Sequence, residues 1–246
     1  MNLGWLEVGF NVRDVVVTRA FYEQLGFQLV SVDDGGMSAT LQSGGCRLGL
    51  YQGVLDPPQS QLIFWQGDVE ACAAALHGEG VPFVRVLKTN ERGEASFMAR
   101  DPDGQLIFVI RETGVTRNGP ATPEPKPGLG FFRAALPVKD PRRTAAFYET
   151  LGFRRADRDP DERMIALIND EAARIILYQG YLDPDELQLN FWQGDIEALA
   201  RRVERAGLGF FREPKRDDSG AAFMLKDPDG RPVFFINMHK YQDWNA

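Results

Sequence analysis

Asn11–Phe27 reads NVRDVVVTRAFYEQLGF, and Pro137–Phe153 reads PVKDPRRTAAFYETLGF. Each stretch places an Asp 12 residues before a Gly, as Asp14–Gly26 and Asp140–Gly152. Asp is a good helix N-cap because its carboxylate accepts from an orphan N–H of the first turn. Gly ends helices because it enters the left-handed region without a Cβ penalty. The segment between them therefore predicts a short amphipathic helix of about three turns. The same spacing recurs at Asp68–Gly80 and Asp195–Gly207. Before each Asp stands an apolar run, such as LEVGFNV or LIFWQG, that reads as a strand. After each Gly come further strand-like pieces. The chain thus reads as four strand–helix–strands units, two per half.

Two longer matches tie the halves together. YQGVLDPPQSQLIFWQGDVEA (Tyr51–Ala71) returns as YQGYLDPDELQLNFWQGDIEA (Tyr178–Ala198). FMARDPDG (Phe97–Gly104) returns as FMLKDPDG (Phe223–Gly230). A period this long means duplicated domains rather than a solenoid of short repeats. The expected division is residues 1–112, a linker over 113–128, and residues 129–246. The linker, TGVTRNGPATPEPKPG, holds four prolines and no apolar period, so it is expected to be extended and to cross the surface.

Composition narrows the function classes. Of 246 residues, 43% are apolar and 26% charged, which is ordinary for a globular protein. The net charge of −7 argues against a non-specific nucleic-acid binder, which needs a basic footprint. No apolar run approaches the ~20 residues of a membrane span, and MNLGWLEVGF lacks a basic start and a long apolar core. The expectation is a cytoplasmic protein with no nucleic-acid or membrane partner, a monomer or homodimer. Cys46 and Cys72 occupy unmatched places in the first half and are expected to be reduced and structural.

Strand, Asp, helix carrying Phe-Tyr, Leu-Gly-Phe, and a later Asp-Pro-Asp-Gly before a last strand resemble the vicinal oxygen chelate superfamily. That superfamily includes glyoxalase I, extradiol dioxygenases and bleomycin-resistance proteins. The resemblance covers both halves and implies an α+β fold. Four βαβββ modules would form two tandem glyoxalase-like domains, each a curved mixed sheet that makes a cup. Which modules pair stays open. The fold says little about the reaction, because it hosts many.

The resemblance also implies where metal ligands would stand. Seven residues before each helix-starting Asp are Glu7, Gln61, Arg133 and Gln188. Seven residues after the first Asp of each DPDG are Phe108 and Phe234, and the remaining points are near Gly49 and Ile176. A divalent ion needs at least about three converging lone-pair donors. Phe, Gly and Ile supply none from their side chains, and Arg133 is cationic. No metal and no other cofactor is expected.

Counting by two along each strand gives the residues that share a cup face. Glu7, Tyr51, Gln61 and Trp65 fall there in the first half, and Arg133, Tyr178, Gln188, Asn190 and Trp192 in the second. Aromatics, amides and one charge per half suit a small-molecule pocket. Trp65 and Trp192 could stack a planar ligand that Gln61 and Gln188 orient, or could pack within their own modules. Glu7 and Arg133 hold equivalent places with opposite charge. Either the halves have specialised, with Glu7 as the one candidate general base, or the two residues pair with each other or sit at exposed strand ends.

The DPDG segments (Asp101–Gly104, Asp227–Gly230) read as tight turns rather than calcium loops. The YQGxLDP loops read as fixed turns bordering the cup mouths, and His239 as a tail residue. The leading expectation is a metal-free protein of the glyoxalase/bleomycin-resistance type, binding a small aromatic or amide-rich molecule. The alternatives are a lyase, isomerase or dioxygenase-type enzyme, and a mainly structural or regulatory protein with degenerate cups filled by side chains.

Overall fold

The computed structural model describes residues 1–56, 59–116, 128–183 and 186–238. Most of the expected linker and His239 lie outside them. In the first half the order is β1 (Gly4–Asn11), α1 (Val15–Leu25), β2 (Gln28–Val32), β3 (Ser38–Ser43) and β4 (Cys46–Tyr51). It repeats as β5 (Gln61–Gln66), α2 (Val69–Gly78), β6 (Phe83–Thr89), β7 (Ala95–Arg100) and β8 (Leu106–Arg111). The second half follows with β9 (Phe131–Pro137), α3 (Pro141–Thr150), β10 (Arg154–Arg158), β11 (Met164–Ile168) and β12 (Arg174–Tyr178). It closes with β13 (Gln188–Trp192), α4 (Ile196–Arg205), β14 (Arg212–Asp217), β15 (Gly220–Lys226) and β16 (Pro232–Met238). These are the four expected βαβββ modules.

The module pairing left open by the sequence is consecutive. β1 runs antiparallel to β5, with Trp5 opposite Trp65 and Glu7 opposite Ile63. β9 runs antiparallel to β13, with Arg133 opposite Asn190. Each half is one eight-stranded mixed sheet, ordered β2-β3-β4-β1-β5-β8-β7-β6 and β10-β11-β12-β9-β13-β16-β15-β14. The sheets are not closed, and each curves into a cup.

The caps follow the sequence closely. Asp14 accepts from the amides of Val16 and Val17, Asp140 from those of Arg142 and Arg143, and Asp195 from that of Ala198. Asp68 stands at the start of α2 but makes no such bond; its carboxylate instead accepts from the Asn2 amide at 3.0 Å. Gly26 ends α1 with φ 102°, and its amide and that of Phe27 bond back to Glu23 and Tyr22.

Strand alternation sends Leu6, Val8, Phe10 and Val12 to one face, all buried. They join a single core that also contains Phe132, Ala134, Leu136 and Phe191 of the second half. Phe27 meets Phe191, and Phe64 meets Phe153, edge to face across the halves. Cys46 and Cys72 are buried in this core as free thiols. Burial pushes the Cys72 thiol up to about 12, which keeps it protonated and inert.

The DPDG turns join the halves. Asp101 folds its own turn by accepting from the amides of Asp103 and Gln105, both at 2.9 Å. Asp103 then reaches the start of α3, accepting from the Lys139 amide at 2.8 Å and from Thr144 Oγ1 at 2.5 Å. The second half answers in kind, with Asp229 accepting from the Arg13 amide at 3.0 Å and from Thr18 Oγ1 at 2.9 Å. Each turn therefore holds the first helix of the other half.

Candidate functional site

The opposite alternation, Trp5, Glu7, Gly9 and Asn11, lines the first cup. Parallel pairing with β4 puts Gly9 beside Gly49 and Asn11 beside Tyr51. One step before the Val8–Leu48 pair, Glu7 stands beside Arg47. Glu7 is buried, and Arg47 Nε donates to its Oε2 at 2.9 Å. Tyr51 OH donates to Glu7 Oε1 at 2.7 Å. The Tyr51 ring lies over Gly49, where an added Cβ would come within 2.6 Å of both the ring and Glu7 Oε1. Trp5 and Trp65 stack at 5.6 Å with 15° between their planes, and the Arg47 guanidinium lies 4.7 Å from the Trp5 ring centre. The first cup is thus occupied by its own side chains: a charge pair, a tyrosine folded over two glycines, and a tryptophan stack. Asn11 Oδ1 and Trp65 Nε1 are buried there without a hydrogen-bond partner among the described residues.

The second cup uses the same positions differently. Arg133 replaces Glu7 and is buried, 5% exposed. Its guanidinium lies over Trp192, 5.1 Å from the ring centre. Arg174, the equivalent of Arg47, lies 5.7 Å from the ring centre of Phe131. Burial, chiefly, brings the Arg133 pKa down to about 10; Tyr178 opposes that and Arg174 reinforces it. Both arginines remain charged at neutral pH.

Ile176 and Ala135 stand where Gly49 and Gly9 stood, so Tyr178 has no glycine bed to fold over. Ala135, Met164, Ala166, Ile176 and Trp192 form a small apolar cluster, against which Tyr178 and Leu182 pack. Leu182 comes from the YQGxLDP loop. On β13, Gln188 and Asn190 are buried, and Asn190 lies between Arg133 and Phe234. Asn190 Oδ1 has no hydrogen-bond partner among the described residues.

The candidate residues therefore fall into two separate groups. Glu7, Tyr51, Gln61 and Trp65 share the first cup, and Arg133, Tyr178, Gln188, Asn190 and Trp192 the second. Glu7 and Arg133 belong to different sheets, and Glu7 has its ion partner within its own cup. Arg47 and Arg174 are the site-shaping residues the sequence reading passed over. Counting back by two from Tyr51 and Tyr178 along the same strands reaches both. Two of the open clefts among the described residues, of about 430 and 330 Å³, lie at the sheet rims, beside Gln193–Glu197 and Lys88–Ser96. Neither is lined by the charged and amide side chains of the cups.

A family model described as the Glyoxalase/Bleomycin resistance protein/Dioxygenase superfamily matches residues 4–109 and 130–233. A lactoylglutathione lyase of Schizosaccharomyces pombe is 29% identical over 100 residues, which are 39% of this chain and 30% of that protein. The chain thus matches under a third of that relative's length. Among solved structures, a Mn(II)-bound glyoxalase from Novosphingobium aromaticivorans superposes with TM-score 0.64 at 19% identity, over 94% of this chain and 80% of the other. Homoprotocatechuate 2,3-dioxygenase from Arthrobacter globiformis gives TM-score 0.63 at 19% identity, over 97% and 80%. At such identities the likeness carries the fold alone.

The donors in the two cups do not fit a metal of the kind bound in that glyoxalase. Both oxygens of Glu7 are engaged by Arg47 and Tyr51. Gly49, Phe108, Ile176 and Phe234 bring no side-chain donor, and Arg133 repels a cation. Among the described residues no three His, Cys, Asp or Glu side chains converge. Nor is any helix among them long and apolar enough to cross a membrane.

Proposed function

Because the chain belongs to the Glyoxalase/Bleomycin resistance protein/Dioxygenase superfamily, we propose that it binds a small planar organic anion in the second cup, without a divalent metal. The observation that carries this reading is the exchange of Glu7 for Arg133 at one position of a duplicated cup. At this position the first cup holds a carboxylate, which Arg47 and Tyr51 engage. In the second, a buried guanidinium presents a fork of donors suited to a carboxylate. Trp192 beside it offers a flat face for an aromatic ring. Asn190 Oδ1, buried and without a partner among the described residues, would accept from a ligand hydroxyl or amide.

The rival reading is a lyase-, isomerase- or dioxygenase-type enzyme with Glu7 as base. It is the weaker of the two, since a base must have a free lone pair facing its substrate. Here Arg47 and Tyr51 hold both carboxylate oxygens.

A thermal-shift comparison of benzoate, benzamide and benzylamine tests the proposal. Benzoate should raise Tm most, because ligand binding to the folded state alone stabilises it. Arg133→Ala should weaken benzoate binding by about 10- to 100-fold, the scale of a lost charge-assisted hydrogen bond. Stabilisation by benzylamine over benzoate, or unchanged benzoate binding in Arg133→Ala, would contradict it.

A further inference from the structure

Each sheet ends in two outer strands, β2 and β6 in the first half and β10 and β14 in the second. An open edge presents unpaired N–H and C=O groups to any strand that reaches it, and charges or Pro on the edge discourage such pairing. β10 reads RRADR and β14 reads REPKRD. β6 reads FVRVLKT, with Arg85 and Lys88 along its length. β2 reads QLVSV and alone of the four carries no charge. Its outer edge pairs with no strand among the described residues.

The contrast extends beyond the strand. Val16, Val17, Leu29, Val32 and Met37 are all exposed, between 38% and 73%. Arg142, Arg143, Arg155, Arg158 and Arg163 stand at the matching positions of the second half. The registers agree: Leu29 pairs with Leu41 and Val32 with Ala39, as Arg155 pairs with Leu167 and Arg158 with Ile165. Arg155 has Glu149 at 2.8 Å, Arg142 and Arg158 share Glu162, and Arg163 lies over Tyr181. One half thus shows water a network of charges where the other shows five apolar side chains. Those at the start of α1 and at the β2–β3 turn are neighbours, because Gln52 ties the two places together. Its Oε1 accepts from the Val15 amide at 3.1 Å, and its own amide donates to Met37 O at 2.8 Å. Grouped exposed apolar residues mark a contact surface, as scattered ones do not.

The patch fits a second copy of itself. A register shift between Leu29 and Ser31 leaves Leu29 and Val32 on one face, that of Leu41 and Ala39. Antiparallel β2–β2 pairing about a twofold axis between Val30 and Ser31 sets Leu29 of each copy opposite Val32 of the other. It also brings Asp33 and Asp34, at the end of one β2, to the start of the other. There Arg202 donates to Leu25 O at 2.9 Å, at the α1–β2 junction. Parallel pairing would set acid against acid. A twofold pairing uses both β2 edges and closes, so it does not run on into a filament.

We infer that the protein forms a homodimer through β2, with one sheet continuous across both copies and the valines of α1 flanking the seam. The inference goes beyond the ligand reading and is independent of it.

Sedimentation equilibrium of the full chain from about 1 to 100 µM, the weak end of the range for specific interfaces, should give twice the mass of one chain. Leu29→Arg/Val32→Arg copies the residues of β10. It should weaken the dimer about 100-fold or more, since it removes buried apolar side chains and sets like charges opposite each other. Val86→Arg adds a charge to β6 and should leave the dimer intact. Amide exchange in β2 of the wild type should slow as concentration rises through the same range, a readout that needs no variant to fold. A wild type that stays monomeric, growth past the dimer into larger species, β2 exchange independent of concentration, or a dimer untouched by Leu29→Arg/Val32→Arg overturns the inference. So does a dimer broken equally by Val86→Arg.

Discussion

Asp101 shows how far a single residue's role extends beyond its local motif. Its carboxylate accepts two amides of its own turn and also the hydroxyl of Tyr148, in the other half, at 3.1 Å. In the matching turn, Asp227 has Arg231 beside it at 3.1 Å, whereas Gln105 holds that place next to Asp101. Burial pushes Asp101 up to about 6, and its hydrogen bonds only partly offset this. The folded state then holds a proton on Asp101 more readily than the unfolded chain does. Between roughly pH 4 and 6 this group's contribution to stability falls as pH rises, by a total of about 3 kcal/mol. Asp101→Asn should remove that dependence. Urea unfolding of both proteins from pH 4 to pH 7 should show the variant gaining on the wild type by roughly 1–3 kcal/mol. A difference constant with pH would contradict the assignment. The turn itself was legible from Asp-Pro-Asp-Gly, since Asp and Gly fill their backbone roles locally. The bond to Tyr148 was not, because it joins residues 47 apart through a packing of halves that no local pattern encodes.

At the scale of the element, each first helix is capped twice. Asp14 satisfies the first turn of α1 from within, and Asp229 satisfies the Arg13 amide and Thr18 Oγ1 from the other half. Asp229→Ala should cost about 1–3 kcal/mol, because it removes several bonds to one partly buried carboxylate. It should also do so with little loss of helix content. Urea midpoints with circular dichroism check this, and a variant as stable as the wild type would contradict the clamp. Sequence placed the helices well, because Asp–Gly spacing is a local capping signal. It placed the strand before each helix too, as with LIFWQG ahead of Asp68, because one face meets the core and one the cup. Residue-level placement missed β3, β7, β11 and β15, and also the outermost strands β2, β6, β10 and β14. The side chains of these outermost four are mostly exposed on both faces, so no alternation marks them, and a register shift interrupts each pairing. Asp68 differs for a tertiary reason, since Asn2 takes the carboxylate that a local rule assigns to the helix.

At the scale of the whole molecule, duplication preserved the frame and diversified the cups. One core serves both halves, and reciprocal Asp clamps join them. Backbone and core are nearly repeated, while position by position the cup faces trade Glu7 for Arg133, Gly9 for Ala135 and Gly49 for Ile176. The frame was readable from the repeat because structural residues recur. The cups were readable only as a list of faces, because charge pairing depends on which strands are neighbours. That is why Arg47, which neutralises Glu7, and Arg174, which adds to Arg133, emerged only with the parallel register of β1–β4 and β9–β12. The central claim is that the two cups are unequal and that the second takes the anion. A crystal structure with 4-iodobenzoate, located by the anomalous scattering of iodine, tests it most directly. The account predicts one strong iodine peak in the second cup, over Trp192, with the carboxylate on Arg133. A peak in the first cup beside Glu7 and Tyr51, or only at the surface clefts, would contradict it.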